Sequence, residues 1–239
     1  MLKFAIIGYG RMGKEIEKAA RAKGHDIFLT IDNEQDWKKN ARKMSNADLA
    51  FEFTEPGTAT RNIKRCIDAG IPVVTGTTGW EDNLGDVTAY CRKHNGTVFY
   101  ASNFSPGMNI FFKINRILAE NMGQFPDYAI FLKETHHAQK LDKPSGTAIK
   151  LANAIVEKHQ GKSSWTNTPA KNAQTLEIIS VRKENVPGIH SVTYESGEDR
   201  IEIQHTAKNR EGFAKGALMA AEWVYGRKGM FTMENMLNL

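Results

Sequence analysis

A short apolar run that ends in a glycine-rich turn constrains the fold of this chain more than any other feature. Residues 2–7 are mostly apolar, and the sequence GYGRMG follows at residues 8–13. Continuous apolar runs of this length are typical of parallel strands that are buried on both faces. The pattern recurs in four further runs, at residues 27–31, 49–53, 72–75 and 97–100.

Segments with helical apolar spacing separate these runs, at residues 11–23, 58–69 and 80–93. Their lengths fit the helices that connect neighbouring parallel strands. The first hundred or so residues therefore predict an α/β fold with a Rossmann-type doubly wound parallel sheet.

The pattern changes after residue 103. Helical spacing at residues 108–121 and 146–158 flanks a strand pattern at 128–135, and three further strands are predicted at 175–181, 190–194 and 200–206. The SGED turn makes the last two a hairpin. This order predicts a smaller α+β domain. Of the remaining segments, we predict a mobile loop at 160–173, a helix at 214–224 and a short helix or turn at 233–237.

The composition limits the class of protein. With 239 residues, of which 41% are apolar, the chain is long enough for two domains with real cores. The formal charge of +5 comes without a dense lysine and arginine stripe, so we expect small anionic ligands and no nucleic acid. Cys66 and Cys91 have no metal-type spacing and are predicted to be free core thiols. Neither a signal peptide nor a membrane span is predicted, which favours a soluble, cytoplasmic protein.

The glycine turn predicts a bound dinucleotide. It follows a strand, opens a helix and is followed about twenty residues later by Asp32, where a carboxylate can hold ribose hydroxyls. Asp32 and Asn33 favour NADH over NADPH, because a carboxylate repels a 2′-phosphate. Arg11 is still able to reach such a phosphate, so both cofactors stay open. Two turns at strand ends, residues 76–79 and 101–104, are candidate nicotinamide contacts or ordinary turns.

Residues 134–147 carry the chemical signal. His136 and His137 follow a strand, where adjacent side chains point to opposite faces, so we expect them to have different roles. Lys140 supplies a charge, and Ser145 is a predicted helix N-cap that leaves the amides of Gly146 and Thr147 for a carboxylate. A metal site formed by both histidines and Glu134 is disfavoured, because neighbouring histidines on a strand cannot easily face one ion. No metal is expected.

Together these motifs resemble the 4-hydroxy-tetrahydrodipicolinate reductase (dihydrodipicolinate reductase) family, through most of the chain. The resemblance rests on GYGRMG, on GTTG at 76–79, on ASNFSPGMN at 101–109, on ETHHAQKLDKPSGTA at 134–148 and on HTAKNREGFAKG at 205–216. It implies reduction of a cyclic dicarboxylate by NADH or NADPH in diaminopimelate and lysine biosynthesis, by a homotetramer. It also implies a dinucleotide-binding domain of residues 1–103 with 211–239, and a substrate-binding and oligomerisation domain of residues 104–210.

The resemblance also implies roles for individual residues. His136 and Lys140 would be the catalytic proton-transfer residues. The implied substrate contacts are His137, Ser145, Gly146 and Thr147. The implied cofactor contacts are Gly8, Tyr9, Gly10, Arg11, Met12, Gly13, Asp32, Gly76, Thr77, Thr78, Ala101, Ser102, Asn103 and Phe104.

Two other readings stay open at the level of sequence. A non-catalytic NAD-binding module would use Asp32 and the glycines, but it has no need of the cluster at 134–147. Another dehydrogenase, such as one acting on aspartate, explains the PSGT sequence less well. The sequence does not separate substrate, interface and structural roles for Arg182, His190, His205 and Arg210.

Overall fold

A computed structural model describes all residues, 1–239, as two compact units: Met1–Pro106 together with Arg210–Leu239, and Gly107–Asn209. The helices are α1 (Arg11–Ala22), α2 (Glu34–Asn40), α3 (Pro56–Asp68), α4 (Leu84–Lys93), α5 (Pro106–Met122), α6 (Gly146–Lys158), α7 (Glu211–Val224) and α8 (Met233–Leu237). The strands are β1 (Lys3–Ile7), β2 (Asp26–Ile31), β3 (Leu49–Glu52), β4 (Val73–Thr75), β5 (Thr97–Tyr100), β6 (Ala129–His136), β7 (Ser164–Thr166), β8 (Thr175–Arg182), β9 (Gly188–Glu195), β10 (Arg200–Ala207) and β11 (Gly229–Phe231).

The first unit is built on a six-stranded parallel sheet in the order β11-β5-β4-β3-β1-β2. The order runs outwards from β1 in both directions, which is the doubly wound arrangement that the sequence predicts. The predicted α/β, Rossmann-type fold is therefore confirmed. All carboxyl ends of these parallel strands meet at one edge, so the turns that follow them are brought together.

Two apolar layers cover the faces of this sheet. One contains Ala50, Val73 and Val98 together with residues of α3 and α4, and the other contains Phe4, Phe51 and Phe99 together with residues of α1 and α7. Strands β1, β3, β4 and β5 are buried on both faces apart from their ends, as their continuous apolar runs predict.

The second unit contains a five-stranded mixed sheet in the order β10-β9-β6-β8-β7. The predicted hairpin is present, with β9 and β10 paired antiparallel from Arg200 opposite Glu195. Helices α5 and α6 cover one face with an apolar cluster that includes Leu132, Val192 and Tyr194. Strand β6 alternates between exposed and buried side chains, so Glu134 and His136 share the face that α6 covers.

Several sequence predictions are corrected. Strand β2 is only partly buried, because it lies at the sheet edge and pairs with β1 alone. The predicted loop at residues 160–173 contains β7, a strand of three residues whose parallel pairing with β8 leaves no period in the sequence. Helix α2 and strand β11 were not predicted, since both are short and mostly polar or glycine-containing.

Both cysteines are free and buried, as predicted. None of the helices is both long enough and apolar enough to cross a bilayer.

Candidate active site

In the glycine turn of the first unit, the absence of side chains lets the backbone lie close to neighbouring backbone atoms. Gly8 has φ of +90°, and a Cβ added there would lie 2.1 Å from the carbonyl oxygen of Phe53. A Cβ on Gly13 would lie 2.4 Å from the carbonyl oxygen of Gly8, so α1 approaches the turn only because that side chain is absent. Gly10, the N-cap of α1, has open space around it. The N-terminal amides of α1 are therefore accessible to an anion, which is what a pyrophosphate requires.

A cavity of about 380 Å³ opens beside this turn. Among the predicted cofactor contacts it is lined by Gly8, Gly10 and Asp32. Its size is within the range for small-molecule sites. The remaining lining residues are Ile7, Ile31, Asn33, Glu34, Trp37, Phe53, Thr54, Glu55, Thr58, Arg61 and Asn62.

Asp32 is fixed at the end of β2 by the backbone. Its Oδ1 accepts a hydrogen bond of 2.8 Å from the Tyr9 amide, and its own amide donates to Asp36 at 3.0 Å. Asn33 caps α2 by accepting from the Asp36 amide at 2.9 Å. The carboxylate is therefore held against the glycine turn with Oδ2 left for a ligand, the position that ribose recognition needs.

The predicted contact Thr77 belongs to a buried polar cluster. Glu52 is fully buried at the end of β3, and its Oε2 accepts from the hydroxyls of Thr75 at 2.6 Å and Thr77 at 2.8 Å. The Thr54 hydroxyl donates to Oε1 of the same carboxylate, and the Thr54 amide donates to the Thr77 hydroxyl. Glu52 thus ties together the turns after β3 and β4, and sequence reasoning missed it.

The other predicted cofactor contacts lie at the same sheet edge. Tyr9, Arg11 and Met12 belong to the glycine turn and the first turn of α1, while Gly76 and Thr78 flank Thr77 after β4. Ala101, Ser102, Asn103 and Phe104 follow β5, and of these Phe104 is buried against Phe99. Phe104 therefore contributes its ring to the core of the unit.

In the second unit, Glu134 and His136 form a buried pair at the end of β6. The Glu134 side chain is fully buried, and its Oε2 lies 2.6 Å from Nδ1 of His136. Burial alone would raise the pKa of Glu134, but the hydrogen bonds from His136 and Ser145 outweigh it and hold this pKa well below its usual range. The Glu134 carboxylate is therefore ionised next to the imidazole, and the contact fixes the orientation of the ring.

Arg182 completes the pairing of Glu134. Both terminal nitrogens of the guanidinium lie 3.1 Å from Glu134 Oε1, and Arg182 also donates to the carbonyls of Lys140 and Asp142. Because those carbonyls belong to the loop after β6, Arg182 links the loop with Lys140 to the buried carboxylate. The structure thus gives a structural role to one of the residues that the sequence left unassigned.

His190 packs against His136 from β9, with ring centroids 5.0 Å apart. Burial, aided by the neighbouring His136, lowers the pKa of His190 to about 3, so its ring is neutral at physiological pH. Its Nε2 lies 3.2 Å from the Ser145 hydroxyl, which also accepts from the Ala148 amide. Ser145 is therefore the N-cap that the sequence predicts, and its hydroxyl is engaged on both sides.

The ligating atoms of Glu134, His136 and His190 lie within 4.8 Å of one another, a spacing that a metal ion also uses. His137 is not part of this group. The Arg182 guanidinium already places a positive charge on Glu134, which opposes a second cation. We therefore interpret the group as a support that holds His136 through the charged contact with Glu134 and the packing of His190.

Two backbone amides near this support are open to a ligand. Gly146 and Thr147 carry the first amides of α6, a helix of 13 residues whose N-terminus attracts anions. His137 follows β6 and is half-buried, and its Nδ1 is a buried atom without a hydrogen-bond partner. The two amides are the donors that a carboxylate would bind.

Lys140 is held by a neighbour that the sequence analysis did not single out. Its Nζ lies 2.7 Å and 2.8 Å from the two carboxylate oxygens of Asp142. Asp142 is exposed, while Lys140 is half-buried. Asp142 thus orients the Lys140 ammonium within the loop, and an anionic ligand can take the place of this exposed carboxylate.

Sequence reasoning missed Glu34, Glu52, Arg61 and Asp142, and considered Glu134 only as a metal ligand. For Glu134 a signal was present: it stands two residues before His136 on a strand, so the two share a face. Glu52 ends an apolar run, where a carboxylate is unexpected unless it is hydrogen-bonded. Nothing in the local pattern indicates that Glu34 and Arg61 lie together.

Both halves of the chain match one protein family. A model described as "Dihydrodipicolinate reductase, N-terminus" matches residues 2–104, and one described as "Dihydrodipicolinate reductase, C-terminus" matches residues 107–237. A 4-hydroxy-tetrahydrodipicolinate reductase of Christiangramia forsetii is 44% identical over 237 residues, covering 99% of this chain and 98% of its own. One from Methanosarcina mazei is 32% identical, covering 98% of this chain and 89% of its own.

A solved structure gives the same result for the fold. The dipicolinate-bound dihydrodipicolinate reductase from Paenisporosarcina sp. TG-14 aligns with a TM-score of 0.77 at 22% identity, covering 98% of this chain and 99% of that one. The two family models cover nearly the whole sequence, and the relatives match it end to end. The chain therefore belongs to the dihydrodipicolinate reductase family and is an oxidoreductase.

Proposed function

We propose that this chain catalyses the NAD(P)H-dependent reduction of 4-hydroxy-tetrahydrodipicolinate to tetrahydrodipicolinate with loss of water, the step that its family supplies in diaminopimelate and lysine biosynthesis. The observation that carries the proposal is the buried Glu134 and His136 pair beside the open N-terminus of α6. It combines a proton-transfer group with a site for a carboxylate, as reduction of a cyclic dicarboxylate requires.

The substrate carboxylates would be bound by residues of the second unit. The amides of Gly146 and Thr147 at the start of α6 would donate to one carboxylate, and the half-buried His137 imidazole would be a further contact of the dianion. We keep Ser145 in this set because it caps the same helix end, and its engaged hydroxyl would hold the amides in place. Substrate binding would also displace Asp142 from Lys140.

His136 and Lys140 would handle the proton. Because Nδ1 of His136 contacts Glu134, the opposite nitrogen, Nε2, is the one left to exchange a proton with the substrate. Lys140 would neutralise developing negative charge and act as the partner proton donor. NADH or NADPH, when bound, supplies the hydride for the ring carbon that loss of water leaves unsaturated, and the adjacent position is then protonated.

The residues of the first unit fit such a cofactor. Gly8, Gly10 and Gly13 leave backbone exposed where side chains would block a pyrophosphate, and Asp32 is held ready for ribose hydroxyls. The predicted contacts Tyr9, Arg11 and Met12, together with Gly76, Thr77, Thr78 and residues 101–104, would complete the site. Of the two cofactors we propose a modest preference for NADH, because Asp32 would repel a 2′-phosphate and Asn33 adds no positive charge.

We also propose that the chain assembles as a homotetramer through the second unit. The face of its sheet that α5 and α6 leave uncovered exposes 44% of Phe131 and 38% of Ile179, with Ile189 beside them. Apolar groups on one sheet face favour burial against another copy. Light scattering after gel filtration should give the mass of four chains, and Phe131→Glu should lower it.

The reaction is tested by following absorbance of the reduced nicotinamide with purified protein, substrate being made in situ by a synthase from pyruvate and aspartate semialdehyde. Substrate-dependent oxidation is expected, and His136→Gln and Lys140→Ala should each reduce kcat at least about a hundredfold. Lys143→Ala is a matched control, because Lys143 lies in the same loop with an exposed side chain. Wild-type turnover in the first two variants would remove their assigned roles. No oxidation with either cofactor would leave a cofactor-binding protein instead.

A further inference from the structure

The cavity beside the glycine turn has an unbalanced set of charges. Its lining contains three carboxylates, Asp32, Glu34 and Glu55, and one cationic side chain, Arg61. Arg61 lies on α3, and its Nη2 is 2.7 Å from Oε1 of Glu34. The one positive charge that faces the cavity is therefore paired with a carboxylate from the same lining.

A second arginine fixes Glu34 in this position. Arg65, one turn further along α3, forms two hydrogen bonds to Glu34, of 2.9 Å and 3.0 Å, and its guanidinium lies 4.9 Å from the centre of the Trp37 ring. The hydrogen bonds from Arg65 lower the pKa of Glu34, so the carboxylate is charged at neutral pH. Glu34 is thus held by Arg65 from one side and holds Arg61 on the other.

The ion pair of Glu34 with Arg61 affects how the cavity would distinguish NADH from NADPH. NADPH differs from NADH only in a phosphate on the adenosine 2′-oxygen, the oxygen whose free hydroxyl a carboxylate at the position of Asp32 binds in NADH. Burying a phosphate near Asp32 requires a cation, and arginine is the side chain best suited to it. Arg61 is the cavity residue able to provide that charge, and Glu34 neutralises it.

We propose that Glu34 determines cofactor specificity by holding Arg61 away from the 2′-phosphate, so that the wild-type chain discriminates against NADPH. The inference rests on the proposed function, because it takes this cavity as the adenosine site. It assigns the discrimination to an ion pair between α2 and α3 in addition to Asp32. Removing the Glu34 charge should release Arg61 without altering Asp32.

The test measures binding of NADH and NADPH separately, by titrating the intrinsic fluorescence of each cofactor with purified protein. Glu34→Gln should tighten NADPH binding by about tenfold or more, with NADH affinity changed by less than about threefold. The double variant Glu34→Gln with Arg61→Ala should lose the gain for NADPH. Asp82→Asn is the control, because it removes one exposed negative charge from the same unit outside the cavity lining.

Each possible result of these titrations either supports or overturns the inference. Unchanged NADPH affinity in Glu34→Gln would overturn the inference, as would a gain that persists without Arg61 or that Asp82→Asn reproduces. If the wild-type chain binds neither NADH nor NADPH, the proposed function fails as well. If it binds NADH and only the predicted gain is missing, the proposed function stands without the specificity device. The ratio of kcat/KM for the two cofactors provides a second readout, and it should shift towards NADPH in Glu34→Gln.

Discussion

Glu134 Oε2 lies 2.6 Å from His136 Nδ1, and both side chains are buried on one face of β6. A carboxylate in contact with one imidazole nitrogen fixes which nitrogen is free and how the ring is oriented. The carboxylate that contacts the proposed proton-transfer residue is therefore charged and holds its ring in one orientation. Arg182 balances this carboxylate from the other side.

We expect Glu134→Gln to lower kcat by about 10- to 100-fold, the usual effect of removing a partner that orients a functional histidine. The affinity for NADH should not change, because the predicted cofactor contacts lie in the other unit. Steady-state kinetics and a cofactor titration test this together. Glu120→Gln, an exposed carboxylate on α5, is the matched control. Wild-type kcat in a folded Glu134→Gln protein would contradict the positioning role.

Gly188 provides a second test of His136 that does not change any charge. A Cβ added at Gly188 would lie 3.1 Å from Nε2 of His136, which is the nitrogen we propose exchanges the proton. Gly188→Ala should therefore crowd the ring and lower kcat by roughly tenfold, since small misplacements of a catalytic group are costly. Gly197→Ala, in the turn between β9 and β10, has open space around it and should leave kcat unchanged. Equal activity in both variants would show that the ring tolerates the added methyl group.

His190 should make the second unit sensitive to acid. Its pKa is about 3 in the folded chain against an ordinary value of 6.5, so between these values the unfolded chain binds a proton that the folded chain does not. Stability is therefore complete above about pH 6.5 and is lost as pH falls towards 3. From about pH 7 to pH 5, the wild type should lose on the order of 2 kcal/mol more unfolding free energy than His190→Gln.

Urea unfolding followed by circular dichroism at the two pH values measures this difference. The comparison stays above 4.5, the ordinary pKa that Glu134 has in the unfolded chain, and the pKa of that carboxyl in the folded chain is lower still. If His190→Gln loses as much unfolding free energy as the wild type between the two pH values, groups other than His190 cause the acid sensitivity.

Much of the fold was predictable from periodicity. Strands β1, β3, β4 and β5 are short apolar runs followed by turns, and residues 8–13 fix the first of those turns. Strands β7 and β11 were missed because three residues carry no period, and each exists only through its pairing with β8 or β5. The partial exposure of β2 follows from its place at the sheet edge, which depends on the order of all the strands.

The candidate site likewise contains residues that the sequence identifies and residues that only the structure shows. His136, Lys140 and Ser145 were identified because their chemistry and spacing are local in the sequence. The partners that hold them are distant: Arg182 lies 48 residues from Glu134, and His190 lies 45 residues from Ser145. The Arg61 and Glu34 pair likewise joins two helices that only the tertiary fold brings together. Local pattern finds the reacting groups, and the structure is needed to find what positions them.

Two glycines of α7 should respond in opposite ways to the same substitution. A Cβ at Gly216 would lie 1.8 Å from the carbonyl oxygen of Phe104, a backbone atom that cannot move without shifting the turn after β5. Gly216→Ala should therefore destabilise the first unit by about 2 kcal/mol or more, by the overpacking of a tight contact. Because Phe104 is a proposed cofactor contact, NADH binding should weaken too.

Gly212, near the start of the same helix, has nothing within 4 Å of its added Cβ. Gly212→Ala should keep or raise stability by up to about 1 kcal/mol, because alanine loses less backbone entropy in a helix than glycine. Thermal unfolding of the two variants and the wild type measures both effects against one helix. If Gly216→Ala unfolds at the wild-type temperature and binds NADH normally, the added Cβ does not meet the Phe104 carbonyl oxygen at the expected 1.8 Å. Helix α7 would then lie further from the turn after β5.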